Sequence, residues 1–568
     1  MKGRIGYVFS ALLLAAGTVV AQEIAMETLR ENLAAYLRDP LLDAPVAPGE
    51  VPREMPPPFS GDGTWEDVDY ASRRSSDWPA KLHLRRLHVL AKNRDADAAN
   101  QALAAWIRLD PQSDNWWNQS IGTPKSLCET MILLGEDLDP ALRTSIRPLL
   151  DRSKPGMTGQ NRTWLAGIHV MKGILYGDET AIRQGRSILL SELRIVPAGK
   201  EGLQGDFTYH QHGPQMQLGN YGLGFFREMT RWGVAFEGTP FELPASRKDL
   251  LEHFFLEALR WPMYRGSLDL SACGRQLVGD FPATKYRSIL AGARALQRVG
   301  RLEGFDFQTV DGLVGSRYFP RSAYLVHRRP GWYFSVRMCA PDLIGAETVN
   351  NENLLGKFTA DGATFFRTHG GEYDGVPPLW DWRRIPGTTE LYREKEDLRA
   401  GGFRNQGPGA SASGEAGEDG TASAKLCLRV DGLRADKEWR CTPDGVEAIG
   451  SNIASDVDAP VITTMDQRRL LGPVLAIRDG IATPIPEGDE VLPLPVRIVH
   501  DGVEYDVRSA DGVLHVIQET RTGGWHRMNA ARPVTPMEGR VLTLLIDHGV
   551  RPSNAGYRYI LRPAAEVH

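Results

Sequence analysis

The hydrophobic period changes once along this 568-residue chain, and that single change constrains the fold more than any other feature of the sequence. From Glu23 to about Phe319 apolar residues recur at three- and four-residue spacing, as in Trp78 to Ala91, Ala99 to Leu109, Ser126 to Leu134, Trp164 to Tyr176 and Leu250 to Trp261. Such spacing puts them on one face of an α-helix. Beyond about Arg321 the pattern becomes runs such as Trp332-Tyr333-Phe334-Ser335-Val336 and Tyr557-Arg558-Tyr559-Ile560-Leu561, broken by Gly and Asp turns. These read as antiparallel strands. The expected class is α+β multidomain. An incomplete (α/α) toroid of helix hairpins over residues 22–319 precedes an antiparallel β-sandwich over 320–568. A chain of this length also favours two large domains over one. The Gly/Ser/Ala-rich segment from Gly401 to Ala424 reads as a mobile surface loop.

The first residues read differently. Lys2 and Arg4 precede an apolar run from Ile5 to Val20 that ends in Val19-Val20-Ala21, which predicts a secretory signal peptide over residues 1–21, removed near Ala21. The mature protein is then expected to be secreted or periplasmic, and monomeric. No later apolar run has the length of a membrane span. The formal charge of −5, or −7 once Lys2 and Arg4 leave, is opposite to that of a nucleic-acid binder. Cys128, Cys273, Cys339, Cys427 and Cys441 form no CxxC pair, and five buried thiols are expected rather than a Cys427–Cys441 bridge. No clustered His, Cys and Asp set calls for a metal, and no cofactor is expected.

One stretch carries chemistry. Gly205 to Gly224, GDFTYHQHGPQMQLGNYGLG, gathers Asp206, Tyr209, His210, His212 and Tyr221 among five glycines and a proline, too broken for a packed helix. On one continuous helix His212 and Tyr221 would face opposite ways, half a turn out of phase. Gly213-Pro214 and Gly219 predict a bend between them, with regular helix resuming near Gly222. A bend can bring both rings to one pocket. Alternatively, both are satisfied residues of a loop between helices.

QHG followed nine positions after its His by the Tyr of NYG resembles the signature of polysaccharide lyase family 8, whose members include chondroitin AC, hyaluronate and xanthan lyases. Other motifs continue the likeness. Asn115-Trp116-Trp117-Asn118 resembles the family's aromatic sugar platform, for which two indoles offer flat apolar area and N–H donors; two core tryptophans are the alternative. Thr158-Gly159-Gln160-Asn161-Arg162 resembles the segment whose Asn binds a uronate carboxyl group, although Asn161 could equally cap the helix that follows. Arg265-Gly266 and Gly274-Arg275 resemble a segment carrying a catalytic arginine at Arg275. The family's second arginine, four residues on, is Gly279 here. Asn351-Glu352-Asn353 resembles a site segment of the β domain, with Glu352 matching a catalytic-site glutamate; an interdomain ion pair is the alternative. The small C-terminal β domain of many members is expected to be missing here.

The resemblance implies β-elimination across C4 and C5 of a uronic acid, leaving a 4,5-unsaturated end. The implied catalytic set is Asn161, His212, Tyr221, Arg275 and Glu352, and the implied substrate-binding set is Trp116, Trp117, Asn118, Arg162, Arg265 and Asn353. Elimination requires a masked carboxylate, a base for the C5 proton and an acid for the leaving oxygen. Asn161 would mask the carboxylate, and Tyr221 would move both protons with His212 assisting. One guanidinium about 4 Å from a phenolate contributes on the order of 4 kcal/mol at a surface-like dielectric. Arg275 alone is therefore expected to suffice. The implied partner is an acidic polysaccharide, chondroitin or hyaluronan above all, and Arg162, Arg265, Lys285, Arg287, Arg383 and Arg384 are candidates for its basic groove. Two rivals stand beside this reading. One is a glycoside hydrolase using Asp206 and Glu352 as paired carboxylates; the other is a catalytically degenerate polysaccharide-binding protein. Replacing Arg275 with Ala is expected to reduce turnover by orders of magnitude, measured as the initial rate on a uronate polymer.

Overall fold

The structure, a computed structural model, describes residues 22–44, 57, 59–401, 403–404, 407 and 409–565. The expected signal peptide lies outside the described residues. The chain divides into two compact units that interleave along the sequence: residues 1–194, 224–253 and 288–305 in one, and residues 195–223, 254–287 and 306–568 in the other.

The first unit is helical. Its helices are α1 (22–38), α2 (Lys81–Lys92), α3 (Ala96–Leu109), α4 (Thr123–Leu134), the short α5 (Pro140–Ser145) and α6 (Arg147–Leu150), α7 (Gly159–Tyr176) and α8 (Glu179–Glu192). Most of α9 (Leu223–Phe236), α10 (Ala245–Phe254) and α11 (Phe281–Arg298) belongs to it as well. The α7–α8 hairpin shows how local sequence sets these turns. Gly177 ends α7 in the left-handed region at φ +69°, and the Asp178 carboxylate caps α8 by accepting from the Ala181 N–H at 3.0 Å. Gly185 then lets the helices touch, since a Cβ there would lie 2.6 Å from Val170 Cγ2. Buried charge in this unit is paired: Arg231 donates to both Glu129 and Glu228.

The second unit holds the antiparallel sheets. A four-stranded sheet runs consecutively through Gly315–Phe319, Tyr324–Arg329, Trp332–Arg337 and Ala363–Arg367. A five-stranded sheet has the order Thr389–Leu391, Pro460–Arg469, Met537–Val550, Val513–Gly523, Gly488–Leu492. A nine-stranded sheet has the order Ser411–Ala416, Ala422–Val430, Leu433–Thr442, Gly445–Ser455, Ala555–Pro563, Val503–Ala510, Val496–His500, Leu475–Arg478, Ile481–Pro484. Period-two burial is clear in Leu433–Thr442, where Leu433, Ala435, Trp439 and Cys441 point inward. The three sheets share one apolar core, with Leu325, Phe334, Leu426, Trp439, Val516, Leu544 and Tyr559 among its members. Helices toward the N-terminus and antiparallel sheet beyond, as the change of period predicts, are thus observed.

One detail departs from expectation. The segment read as a mobile loop contains an edge strand, Ser411–Ala416, zipped against Ala422–Val430 from Ser411↔Cys427 to Ala416↔Ala422. Small residues hide its alternation because half of it faces solvent at the sheet's edge. The turn is set by Asp419, whose carboxylate accepts from the Thr421 N–H and hydroxyl. Cys427 faces Asp436 and Cys441 faces Ala422, so the two thiols sit at different levels of the ladder and, as expected, form no bridge; all five cysteines are free, four of them buried and Cys427 half-buried.

Replacing Trp439, buried in the shared core, with Ala should cost about 3–5 kcal/mol, read from denaturant unfolding. Burial also pushes His83, His210 and His327 down from the usual 6.5 to about 4, 3 and 4. Unfolding releases sites that bind protons more readily, so the penalty is absent above pH 6.5 and grows as pH falls through that window toward 4. The thermal midpoint should accordingly drop between about pH 7 and pH 5, before the carboxylates begin to protonate near ~4.

Candidate active site

The glycine-rich stretch folds in the second unit as the bend its composition predicts. A two-residue hairpin pairs Gly202–Leu203 with Tyr209–His210. The chain then turns sharply, with His212 in the left-handed region at φ +61°. Glu201 holds this turn, accepting from the Gln211 side chain at 2.7 Å and the Gly213 N–H at 3.1 Å. A π turn, Leu218–Gly222, follows and leads directly into α9. Such turns insert one residue into a helix and re-aim the side chains around it. Gly219 is required here, because a Cβ would lie 2.6 Å from the Ala272 carbonyl oxygen in the turn that leads to Arg275.

These elements bring four of the expected groups together with one that was not expected. The His212 and Tyr221 rings meet edge to face, with centroids 4.9 Å apart and planes at 63°. Arg275 reaches three partners from one guanidinium. Its Nε donates to Glu352 Oε2 at 2.7 Å, its Nη1 donates to Glu347 Oε1, and its Nη2 lies 3.4 Å from Tyr221 Oη. The guanidinium carbon is 5.6 Å from the Tyr221 ring centroid. His212 Nδ1 lies 2.7 Å from Glu347 Oε2, so Nδ1–H donates to the carboxylate and Nε2 is the ring nitrogen left for other contacts. Gln217 Nε2 donates to Glu347 Oε1 at 3.0 Å.

Glu347 is thus the hub. Its side chain is 1% exposed, against 8% for Arg275, 19% for Glu352 and 21% for His212. Burial by itself would push its carboxyl up, but the His212 hydrogen bond and the Arg275 charge outweigh that and hold it below the usual carboxylate range. Arg275 is pushed the other way: burial opposes its charge, and Tyr221, Glu352 and Glu347 more than restore it, leaving the guanidinium firmly protonated. Glu352, matched above to a catalytic-site glutamate, is one of two carboxylates at Arg275. Glu352 does hold Arg275, but the bond to His212 comes from Glu347, five residues earlier. Its signal in the sequence was slight, an acidic residue in the otherwise uncharged run from Ile344 to Asn351.

Asn353 is buried, and its Nδ2 donates to the Glu347 carbonyl at 2.9 Å, bracing the loop that carries both glutamates. Arg265 stands apart: it is exposed at φ +44°, its N–H donates to Asp311 at 2.6 Å, and no bond joins its side chain to the cluster among the described residues. Three basic-groove candidates are enclosed or already paired. Lys285 is completely buried, while Arg383 and Arg384 pack over the Tyr392 ring and pair with Asp381.

The remaining candidates lie in the first unit. Asn161 sits in the first turn of α7, inside the helix rather than at its cap, which is Thr158. It is 6% exposed, and its Oδ1 has no hydrogen-bond partner among the described residues. Arg162 pairs with Glu192 at 3.4 Å. The tandem tryptophans divide their roles. Trp116 is 48% exposed, whereas Trp117 packs edge to face on Trp164 of α7 at 5.4 Å. Asn118 is buried, and its Nδ2 donates to Ser113 Oγ at 2.8 Å.

Comparison with known proteins agrees with this architecture. Residues 60–279 match the profile described as polysaccharide lyase family 8, N terminal alpha-helical domain, and residues 314–568 match polysaccharide lyase family 8, super-sandwich domain. A chondroitinase-AC of Pedobacter heparinus is 27% identical over 590 aligned positions, covering 98% of this chain and 82% of that protein. A hyaluronate lyase of Thermasporomyces composti is 27% identical, covering 88% of this chain and 73% of that one. A solved chondroitinase AC lyase, described in complex with oligosaccharides, superposes with a TM-score of 0.80 at 25% identity, covering 96% of this chain and 83% of its own. The helical and super-sandwich parts, with lyases among the relatives, define a polysaccharide lyase. The chain belongs to polysaccharide lyase family 8.

Glu347→Ala would remove the buried carboxylate shared by Arg275 and His212, leaving Arg275 with only the more exposed Glu352, and should destabilise the fold by about 3–5 kcal/mol. Glu352→Ala removes a more exposed partner and should cost markedly less; paired denaturant titrations measure the difference.

Proposed function

We propose that the protein is an exported lyase that cleaves a uronic-acid-containing glycosaminoglycan, chondroitin or hyaluronan, by β-elimination. The observation that carries the reading is the approach of a phenol, an imidazole and a buried guanidinium in one cluster, with Arg275 Nη2 3.4 Å from Tyr221 Oη and the His212 ring 4.9 Å from the Tyr221 ring. Tyr221 takes the C5 proton as phenolate and returns a proton to the glycosidic oxygen at C4. Each transfer moves one proton over a short path, chemistry for which a positioned side chain contributes about 10²–10⁴-fold. Arg275 stabilises the phenolate and is itself held charged by Glu347 and Glu352. His212, oriented by Glu347 through Nδ1, presents Nε2 toward the reacting sugar and assists the proton transfer or neutralises the substrate. Asn161 hydrogen-bonds the uronate carboxyl group so that negative charge can develop at C5; its buried, unpartnered Oδ1 supports a role beyond holding α7.

The exposed Trp116 offers a flat face for a sugar ring, with Trp117, Asn118, Arg162 and Arg265 as further binding candidates. The choice of glycosaminoglycan follows the chondroitinase-AC and hyaluronate lyase relatives. Residues 1–21 serve as the signal peptide, 22–319 as the catalytic helical domain and 320–568 as the β domain, and the mature protein acts as a monomer. Among the described residues no helix is long and apolar enough to cross a membrane.

The test is a panel of chondroitin, its sulfates, hyaluronan and xanthan, followed by near-ultraviolet absorbance. A C4=C5 double bond gives a rising signal, whereas hydrolysis gives none. Tyr221→Phe should abolish the rise while leaving substrate affinity within about threefold. Chain cleavage without absorbance would replace the lyase reading with a hydrolase, and binding without cleavage would replace it with a binding protein.

A further inference from the structure

Lys285 is the buried charge that the scheme above leaves unused. It lies in the first turns of α11 and is 0% exposed, a rare state for a lysine. Its ammonium donates to the Gly219 carbonyl oxygen and, at 2.8 Å, to Gln276 Oε1. Gly219 lies within the π turn, two residues before Tyr221; Gln276 is the residue after Arg275. The two segments that carry the phenol and the guanidinium are therefore joined through one ammonium, 66 residues from the first and nine from the second.

Other contacts show that the juncture is tight. A Cβ at Gly219 would meet Leu268 and the Ala272 carbonyl, and a Cβ at Gly274 would lie 2.8 Å from Gln217 Oε1. The Phe281 ring covers the ammonium, its centroid 5.3 Å from Nζ. A tetrahedral ammonium can satisfy divergent acceptors in a way that a methyl or a neutral amide cannot.

We infer that Lys285 is a positioning residue for the lyase reaction: by clamping the Gly219 carbonyl to the Gln276 side chain it fixes the separation of Tyr221 from Arg275. This rests on the proposed roles of those two residues. Lys285 touches neither substrate nor reacting atoms, and its effect passes through the pair it holds.

Lys285→Met keeps the length of the side chain and removes the donors. It should lower kcat by about 100-fold, the loss a displacement near 1 Å can bring, with KM within about threefold of wild type. In an Arg275→Ala background the same substitution should cost less than about threefold, because the geometry it protects no longer matters. Lys285→Arg, which restores donors with a different reach, should recover part of kcat. Should Lys285→Met fail to fold, Gln276→Met cuts one arm of the clamp and leaves the ammonium on the Gly219 carbonyl; its kcat, measured below its own thermal midpoint, should fall about 10-fold. Loss of activity additive with Arg275→Ala, or a kcat unchanged in Gln276→Met, overturns the inference while an active wild type leaves the lyase reading standing. A wild type inactive on every uronate polymer overturns both.

Discussion

A carboxylate with 1% of its side chain exposed has to be compensated where it sits, and the compensation of Glu347 organises the candidate site. One oxygen accepts from Arg275 and Gln217, and the other meets His212. Removing either partner would leave charge in a medium that solvates it poorly. The arrangement is thus mutually enforcing. The imidazole is held in one orientation, the guanidinium is held charged, and the phenol lies against the remaining edge of that guanidinium. Glu352 adds a second, more accessible anchor on the Nε side.

The scaffolding around this network is drawn from segments far apart in sequence but confined to one unit. The Glu201-held turn supplies His212, the π turn supplies Tyr221, the loop after the 270–272 turn supplies Arg275, and the Asn353-braced loop supplies both glutamates. Rigid backbone close to the chemistry reduces the reorganisation a transition state demands. Backbone in the left-handed region at His212, Asn350, Asn351 and Asn353 fits the same pattern of local strain tolerated beside reacting groups.

What could be read from the sequence follows from the range of the forces involved. Helical and strand periods are local, so the change near Arg321 foretold helices before it and antiparallel sheet after it. The bend between His212 and Tyr221 was also local, encoded in Gly213, Pro214 and Gly219. The dominant role of Glu347 was not, because its three side-chain partners lie 72, 130 and 135 residues away and little near it marks an inward-facing carboxylate. Lys285 misled for a related reason: a lysine is ordinarily solvated, and only tertiary packing shows that this one is enclosed. The Ser411–Ala416 strand was obscured by small side chains at a sheet edge, where pairing rather than hydrophobic burial fixes the conformation.

The π turn has a consequence for how such a site can vary. A regular α-helix advances about 100° per residue, so deleting a single position between Leu218 and Gly222 would relax the turn to ordinary spacing and swing the phenol by about that angle around the axis. Gly219 and Gly222 leave no room for a Cβ, and outside those two positions a changed side chain in this segment can be absorbed by repacking, but a change in residue number cannot. Here the register of the helix, as much as the identity of its tyrosine, is the inherited unit.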